Sequence, residues 1–428
     1  MSSWRASLSR VRESPVAAAL ILALPLLIVA LITDLDFMPQ TDEAKFHWDV
    51  IQQFDAEWPA VPWREYHAAT TPLPYIAWAL WGKVLGFELP LLRALTLILS
   101  YAGVLAFYLL ARNRNHHWPL AESLLLLFSP YIFLNSFTIY TVNVGLLFEV
   151  LALWFYLRAD QPSDWPALLW GGLAATAAIY CRQHYIFLPA GMALWWAISR
   201  WRAKQVGWRD LRNLVLIALP ITLFLPIVVA WGGMTPPAFQ GLHSLTISPV
   251  HINFLVIFIG LYCAPVVIAA LPTLSRWRWR GAWLLLCVPG YFLFRPYYEQ
   301  GAKALSSSEQ GIILHGLDLA RGAVGAVAPA LGEFALWANG LIIGAVSLIE
   351  TWKAGDADSV KLWSWIAAFA GILAVSDFVG ERFYVLLVPV LLLLFYPRLA
   401  GRRVAVALWA AGMALIGVAY SIIKMNGG

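Results

Sequence analysis

The feature that most constrains this chain is a recurring, predominantly apolar stretch of about 17–23 residues, long enough as a helix to cross a hydrocarbon core about 30 Å thick. Backbone amides cannot stay unpaired in lipid, so such stretches must be helices or the strands of a closed barrel. Runs such as Leu386–Leu394 lack the alternation of a barrel strand, which leaves helices. The composition agrees: 61% of the 428 residues are hydrophobic and 12% are charged, which excludes a water-soluble, fibrous or disordered class. The expected fold is therefore all-α, a polytopic membrane bundle. The net charge of +5 is assigned to basic loops beside the membrane, and no nucleic-acid partner is expected. Cys181, Cys263 and Cys287 fall within or at the ends of apolar spans without metal-ligand spacing, so no disulfide framework and no metal site are expected.

The pattern predicts about 13 transmembrane helices, near residues 16–33, 89–111, 120–136, 138–157, 165–181, 183–199, 212–231, 250–272, 281–297, 334–350, 361–378, 383–396 and 404–424. The first stretch follows Arg5, Arg10 and Arg12 as a signal peptide would, but it runs too long and is kept as a span. The apolar segment Leu73–Phe87 is read as a helix lying on the outer surface. With it so placed and the N-terminus inside, 19 of the 29 lysines and arginines fall in inner loops, as the positive-inside rule requires. The three longest breaks, 34–88, 232–249 and 298–333, then all face outside, and chemistry is expected there. Gly232, Gly233, Pro236 and Pro237 mark a boundary between a front module, 1–233, and a back module, 234–428.

The first outer loop carries Asp42 and Glu43, followed by Phe46, Val50, Ile51, Phe54 and Trp58 at helical spacing, which predicts an amphipathic helix on the membrane face. An N-cap and a first-turn acid would explain the two carboxylates alone. Other polar groups sit at the same depth: Thr70 and Thr71, Tyr140 and Asn143, and then Arg182 and Gln183 in a tight turn between apolar spans. A charge there calls for an anionic partner, or for snorkelling to the headgroups. Further along stand His243 and His251 around the second outer loop, Arg295 opening the third, and Asp377, Glu381 and Arg382 before the twelfth span.

The order Asp42-Glu43, Phe46-His47, Thr70-Thr71-Pro72, Phe137 to Thr141 with Val144-Gly145, and Arg182-Gln183 resembles the dolichyl-phosphate-glucose alpha-1,2-glucosyltransferase family of the C-type (GT-C) glycosyltransferases. Val142 departs from the family, which has an acid after Tyr-Thr, and the 377–384 stretch is less polar than its counterpart. The resemblance implies a GT-C-like fold with amphipathic helices in the first extracytoplasmic loop. It also implies transfer of a single sugar, glucose or another hexose, from a polyprenyl-phosphate carrier to a glycan or glycolipid hydroxyl, with inversion and without a cofactor or metal. Asp42 would take the acceptor's proton and Glu43 would orient it. Arg182, with Arg382 or Arg295, would hold the phosphate. Thr70, Thr71, Tyr140, Asn143, Gln183, His243, His251, Asp377 and Glu381 would shape the substrate site. The rival is a transporter or flippase of lipid-linked saccharides, which would gather ionisable groups at the midplane rather than at one face. The absence of an ER-retrieval signal at Lys424 to Gly428 points to a bacterial inner membrane, with the site facing the periplasm.

Overall fold

The computed structural model describes residues 14–39, 42–161, 163–204, 207–242, 247–295, 327–375 and 381–425. His243, Asp377 and the side chain of Glu381 lie outside them. Among the described residues all regular structure is helical. In the first half run α1 (Pro15–Thr33), α2 (Trp48–Ala56), α3 (Leu73–Leu85), α4 (Leu89–Asn113), α5 (Pro119–Leu127), α6 (Pro130–Asn135), α7 (Thr141–Tyr156), α8 (Trp165–Cys181), α9 (Phe187–Ala203) and α10 (Trp208–Trp231). The second half holds α11 (Val250–Tyr262), α12 (Val267–Arg276), α13 (Cys287–Leu293), α14 (Val327–Ala354), α15 (Ala357–Ala374), α16 (Val388–Phe395) and α17 (Arg403–Met425).

Among the described residues six helical stretches are long and apolar enough to cross a membrane, one of them the run Arg382–Leu399 that contains α16, or seven if one bent pair counts as a single span. The difference from 13 expected spans has a local cause: several apolar stretches are broken. The stretch expected as one span at 250–272 turns by 77° between Tyr262 and Ala264, next to Pro265. A proline there removes an amide donor and crowds the preceding turn. The 120–136 stretch breaks likewise at Phe128–Ser129, ahead of Pro130. α3 is 13 residues long, about 20 Å at helical rise, which is too short to cross a core of about 30 Å.

The chain forms two compact units that do not follow chain order. The first comprises Met1–Pro189, Trp208–Gln240 and Ala410–Gly428; the second comprises Ala190–Gly207 and Gly241–Trp409. In the first unit α7 packs on α4 and α8, α8 on α10, and the short α3 against α2, α4 and α8. In the second, α14 packs on α11 and α12, and α15 on α11 and α16. The crossing of α11 and α14 is set by two glycines. A Cβ on Gly260 would strike the Leu336 carbonyl, and one on Gly340 the Val256 carbonyl. The Asn339 amide donates to the Gly260 carbonyl at 2.7 Å across the same contact. Small residues that let helix backbones approach take the place of hydrophobic driving force in lipid.

Candidate active site

The first unit assembles a polar site around a buried arginine. Leaving α1, the chain turns through Asp34 and Leu35 with φ of 49° and 55°, the left-handed region that non-glycine residues avoid at a cost of about 1–2 kcal/mol each. Arg93, near the start of α4 and fully buried, holds this turn: its Nη1 donates to the carbonyls of Leu35 at 2.7 Å and Phe37 at 3.0 Å. Its remaining donors form a fork on Glu43, Nε to Oε1 at 2.8 Å and Nη2 to Oε2 at 2.5 Å. Glu43 Oε1 also accepts the Ile139 amide at 2.9 Å. The Glu43 carboxylate, 1% exposed, therefore ties the first loop to α4 and to the segment entering α7. Arg93 escaped the sequence reading because it lies inside an apolar span rather than in a turn between spans as Arg182 does, yet a charge within such a span equally calls for a buried partner.

Asp42 sits beside this anchor. It opens a π-helical turn, Glu43–His47, that leads into α2, and its side chain makes no capping hydrogen bond to that turn. Capping, the simplest structural explanation of the acid, is not what its half-buried side chain does. His47, at the end of the π-turn, enters a cage of Tyr75, Trp78 and Tyr140 rings. Its Nδ1 lies 2.8 Å from the Tyr75 hydroxyl, which lies 2.9 Å from Thr70 Oγ1. The Tyr66 hydroxyl donates to the Thr70 carbonyl at 2.5 Å.

Tyr75 reports which charges meet here. Burial pushes its phenol above the usual tyrosine range; the Thr70 hydrogen bond and the Arg182 charge pull it back, while Asp42 and Tyr140 push it further up. Burial raises Tyr66 as well, with Tyr75 adding to the effect. Thr70 thus touches this phenol, and the charges or dipoles of Asp42, Tyr140 and Arg182, drawn from three further segments, act on it. Arg182 is 6% exposed in an extended residue after α8, its guanidinium carbon 5.9 Å from the Tyr140 ring centre.

The turns around it are pinned to each other. The Gln183 amide donates to the Ala69 carbonyl at 2.8 Å, and the Thr71 hydroxyl donates to the Ile179 carbonyl at 2.8 Å. Among the described residues, Gln183 Oε1 and Thr141 Oγ1 are buried without a hydrogen-bond partner. Gly145 is required for packing, since a Cβ there would run into the Tyr185 ring, whose hydroxyl donates to the Val142 carbonyl at 3.2 Å.

The other expected residues stand differently. Asn143 is wholly buried and its amide donates to Ser100 Oγ and the Ile132 carbonyl, each at 2.9 Å, and to Ser136 Oγ at 3.2 Å. That amide is occupied in joining α7 to α4 and α6. In the second unit Arg295 pairs with Glu333 at 3.1 Å, and Tyr291 donates to the same carboxylate at 2.7 Å. Arg382 is half-buried, its guanidinium carbon 5.9 Å from the Phe383 ring centre. His251, in the first turn of α11, accepts the Tyr384 hydroxyl at its carbonyl at 2.9 Å. Among the described residues no group of three or more His, Cys, Asp or Glu side chains is placed to hold a metal ion.

Comparison with known proteins adds the following. No curated protein matches the sequence significantly. Two crystal structures of ArnT from Cupriavidus metallidurans, in the apo state and bound to undecaprenyl phosphate, align with 14% identity and a TM-score of 0.46 each, over 89% of this chain. The chain spans 59% and 60% of the length of those two. Residues 69–231, the stretch that carries Thr70, Tyr75, Tyr140 and Arg182 but not Asp42, match the family described as dolichyl-phosphate-mannose-protein mannosyltransferase.

Proposed function

We propose that this protein is a membrane glycosyltransferase that moves one sugar, glucose or another hexose, from a polyprenyl-phosphate donor to a hydroxyl of a glycan or glycolipid on the extracytoplasmic face. The observation that carries the reading is that an acid and a cation from separate segments, Asp42 and Arg182, both act electrostatically on the buried Tyr75 phenol, with Arg182 close to the Tyr140 ring, in a chain of apolar helices. The donor's three parts need an apolar surface for the tail, a cation for the phosphate and a polar pocket for the sugar. The family match over 69–231 supports lipid-phosphate sugar chemistry for the stretch that supplies the cation.

In this reading the acceptor oxygen attacks the anomeric carbon and the bond from that carbon to the phosphate oxygen breaks, inverting the centre. Asp42 takes the acceptor's proton as its oxygen commits to the new bond. The phosphate leaves with the bonding electron pair, and Arg182 stabilises the charge it gains. Glu43, held by Arg93 and Ile139, is a positioning residue that fixes the π-turn bearing Asp42. Arg295 and Arg382 are further phosphate-binding candidates. A bacterial inner membrane with a periplasmic site completes the proposal.

The test is reconstitution of the purified chain in liposomes with labelled polyprenyl-phosphate hexoses and extracted glycolipids. Label should move to the acceptor as free polyprenyl phosphate appears. Label that changes leaflet while staying on its carrier would replace the enzyme with a transporter.

A further inference from the structure

Three rings from separate segments meet in the first unit, one of them on the turn that Asp42 opens. Phe46 lies four residues after Asp42 on the helical turn that Asp42 opens, so the two project from about the same face. Its ring centre is 5.7 Å from that of His67 and 5.8 Å from that of Phe239, and the His67 and Phe239 centres are 5.0 Å apart. Phe239 belongs to the 3-10 turn Pro237–Leu242, which lies beyond the family match. That turn is bound to α10 through Gln240, whose amide donates to the Trp231 carbonyl, and the Trp231 indole donates to the Trp63 carbonyl at 2.8 Å. Phe239 is buried, Phe46 is half-buried and His67 is exposed, so the cluster is covered on one side and open on the other. Trp63, 38% exposed, continues the open side along the same loop.

We propose that Phe46, His67 and Phe239 form the platform on which a sugar ring of the acceptor lies. The inference rests on the glycosyltransferase reading above and adds to it which residues of this chain hold the acceptor's sugar ring, and that a saccharide and not a polypeptide is what fits them. A pyranose presents one face of C–H groups that needs an apolar partner and a rim of hydroxyls that needs polar ones. The rings meet the first need, and an open aromatic surface beside a site is a binding surface by its exposure. His67, exposed and carrying two ring nitrogens, meets the second. Asp42, on the same turn as Phe46, then faces the hydroxyl edge of a ring held there.

The test uses the full chain in nanodiscs and saturation-transfer NMR, with methyl hexosides and a serine- and threonine-containing peptide as probes. Hexoside ring protons should receive saturation from the protein. His67→Ala, at an exposed position, and Phe46→Leu, which keeps bulk, should each weaken hexoside binding by roughly tenfold, the loss of one aromatic contact. The proposal is overturned if no hexoside binds, if both variants bind as the unmodified chain does, or if only the peptide binds. Undecaprenyl phosphate binding to the unmodified chain is followed in parallel. Loss of that binding with ring-dependent hexoside contact intact would sink the donor reading and leave the platform standing.

Discussion

Asp42 and Glu43 are adjacent in sequence but placed differently. Glu43 is buried, with both oxygens engaged by Arg93 and by the Ile139 amide, whereas Asp42 is half-buried at the start of the π-turn. Asp42→Asn should therefore lower turnover by about 10²–10⁴-fold, the usual worth of a general base, with the melting temperature unchanged. Turnover of Asp42→Asn close to that of the parent would remove Asp42 from the chemistry. Arg93→Met should behave in the reverse order, costing about 3–5 kcal/mol because it strands the Glu43 charge in a buried site. Thermal melting of the detergent-solubilised protein reads this directly, and a melting point equal to that of the parent would contradict the anchor. Arg182→Lys keeps a positive charge but loses the planar fork, so undecaprenyl phosphate affinity should fall by about tenfold or more while the fold survives. Isothermal titration that finds no change would shift the phosphate to another cation, with Arg382 next.

At the scale of elements, helical periodicity in the sequence was a good guide to where helices occur and a poor guide to where they break. The α2 stretch reads as an amphipathic helix and is one, with Val50, Ile51 and Phe54 buried, but the π-turn ahead of it carries no composition signal. The breaks ahead of Pro130 and Pro265 fall inside stretches read as single spans; the two helices on either side of the 77° bend beside Pro265 both pack on α14. The α11–α14 crossing gives a prediction in which the ordinary rule reverses sign. In an unpacked helix Gly→Ala is favourable by about 0.5–1 kcal/mol, and Gly412 in α17, with nothing near its missing Cβ, should follow that rule. Gly260→Ala and Gly340→Ala should instead lower the melting temperature, because each methyl would meet a carbonyl of the facing helix. Melting curves in which all three substitutions shift alike would mean that the close crossing does not form.

For the whole molecule, orientation is the property on which the apolar pattern and the basic loops make one joint prediction. Asn115 is exposed in the loop after α4, and the positive-inside rule predicts that this loop is inside. In a background without Cys181, Cys263 and Cys287, a cysteine at position 115 should resist impermeant maleimide added outside intact cells. Labelling from outside would make α3 a span and invert every later loop. The division into two units was not legible in this way, since the chain leaves the first unit within α9 and rejoins it at Trp208 and Ala410. What the sequence by itself determined is the membrane class, the purely helical backbone and the loops that hold Asp42 and Arg182. These follow from the length and period of apolar runs, which are properties of neighbouring residues. Only the tertiary structure decided which charges and rings meet. Arg93 finds Glu43 across 50 residues, and Arg182, just past the end of α8, comes within 5.9 Å of the Tyr140 ring centre. Such pairings depend on helix packing, where a buried charge is tolerated only once its partner has been carried to it.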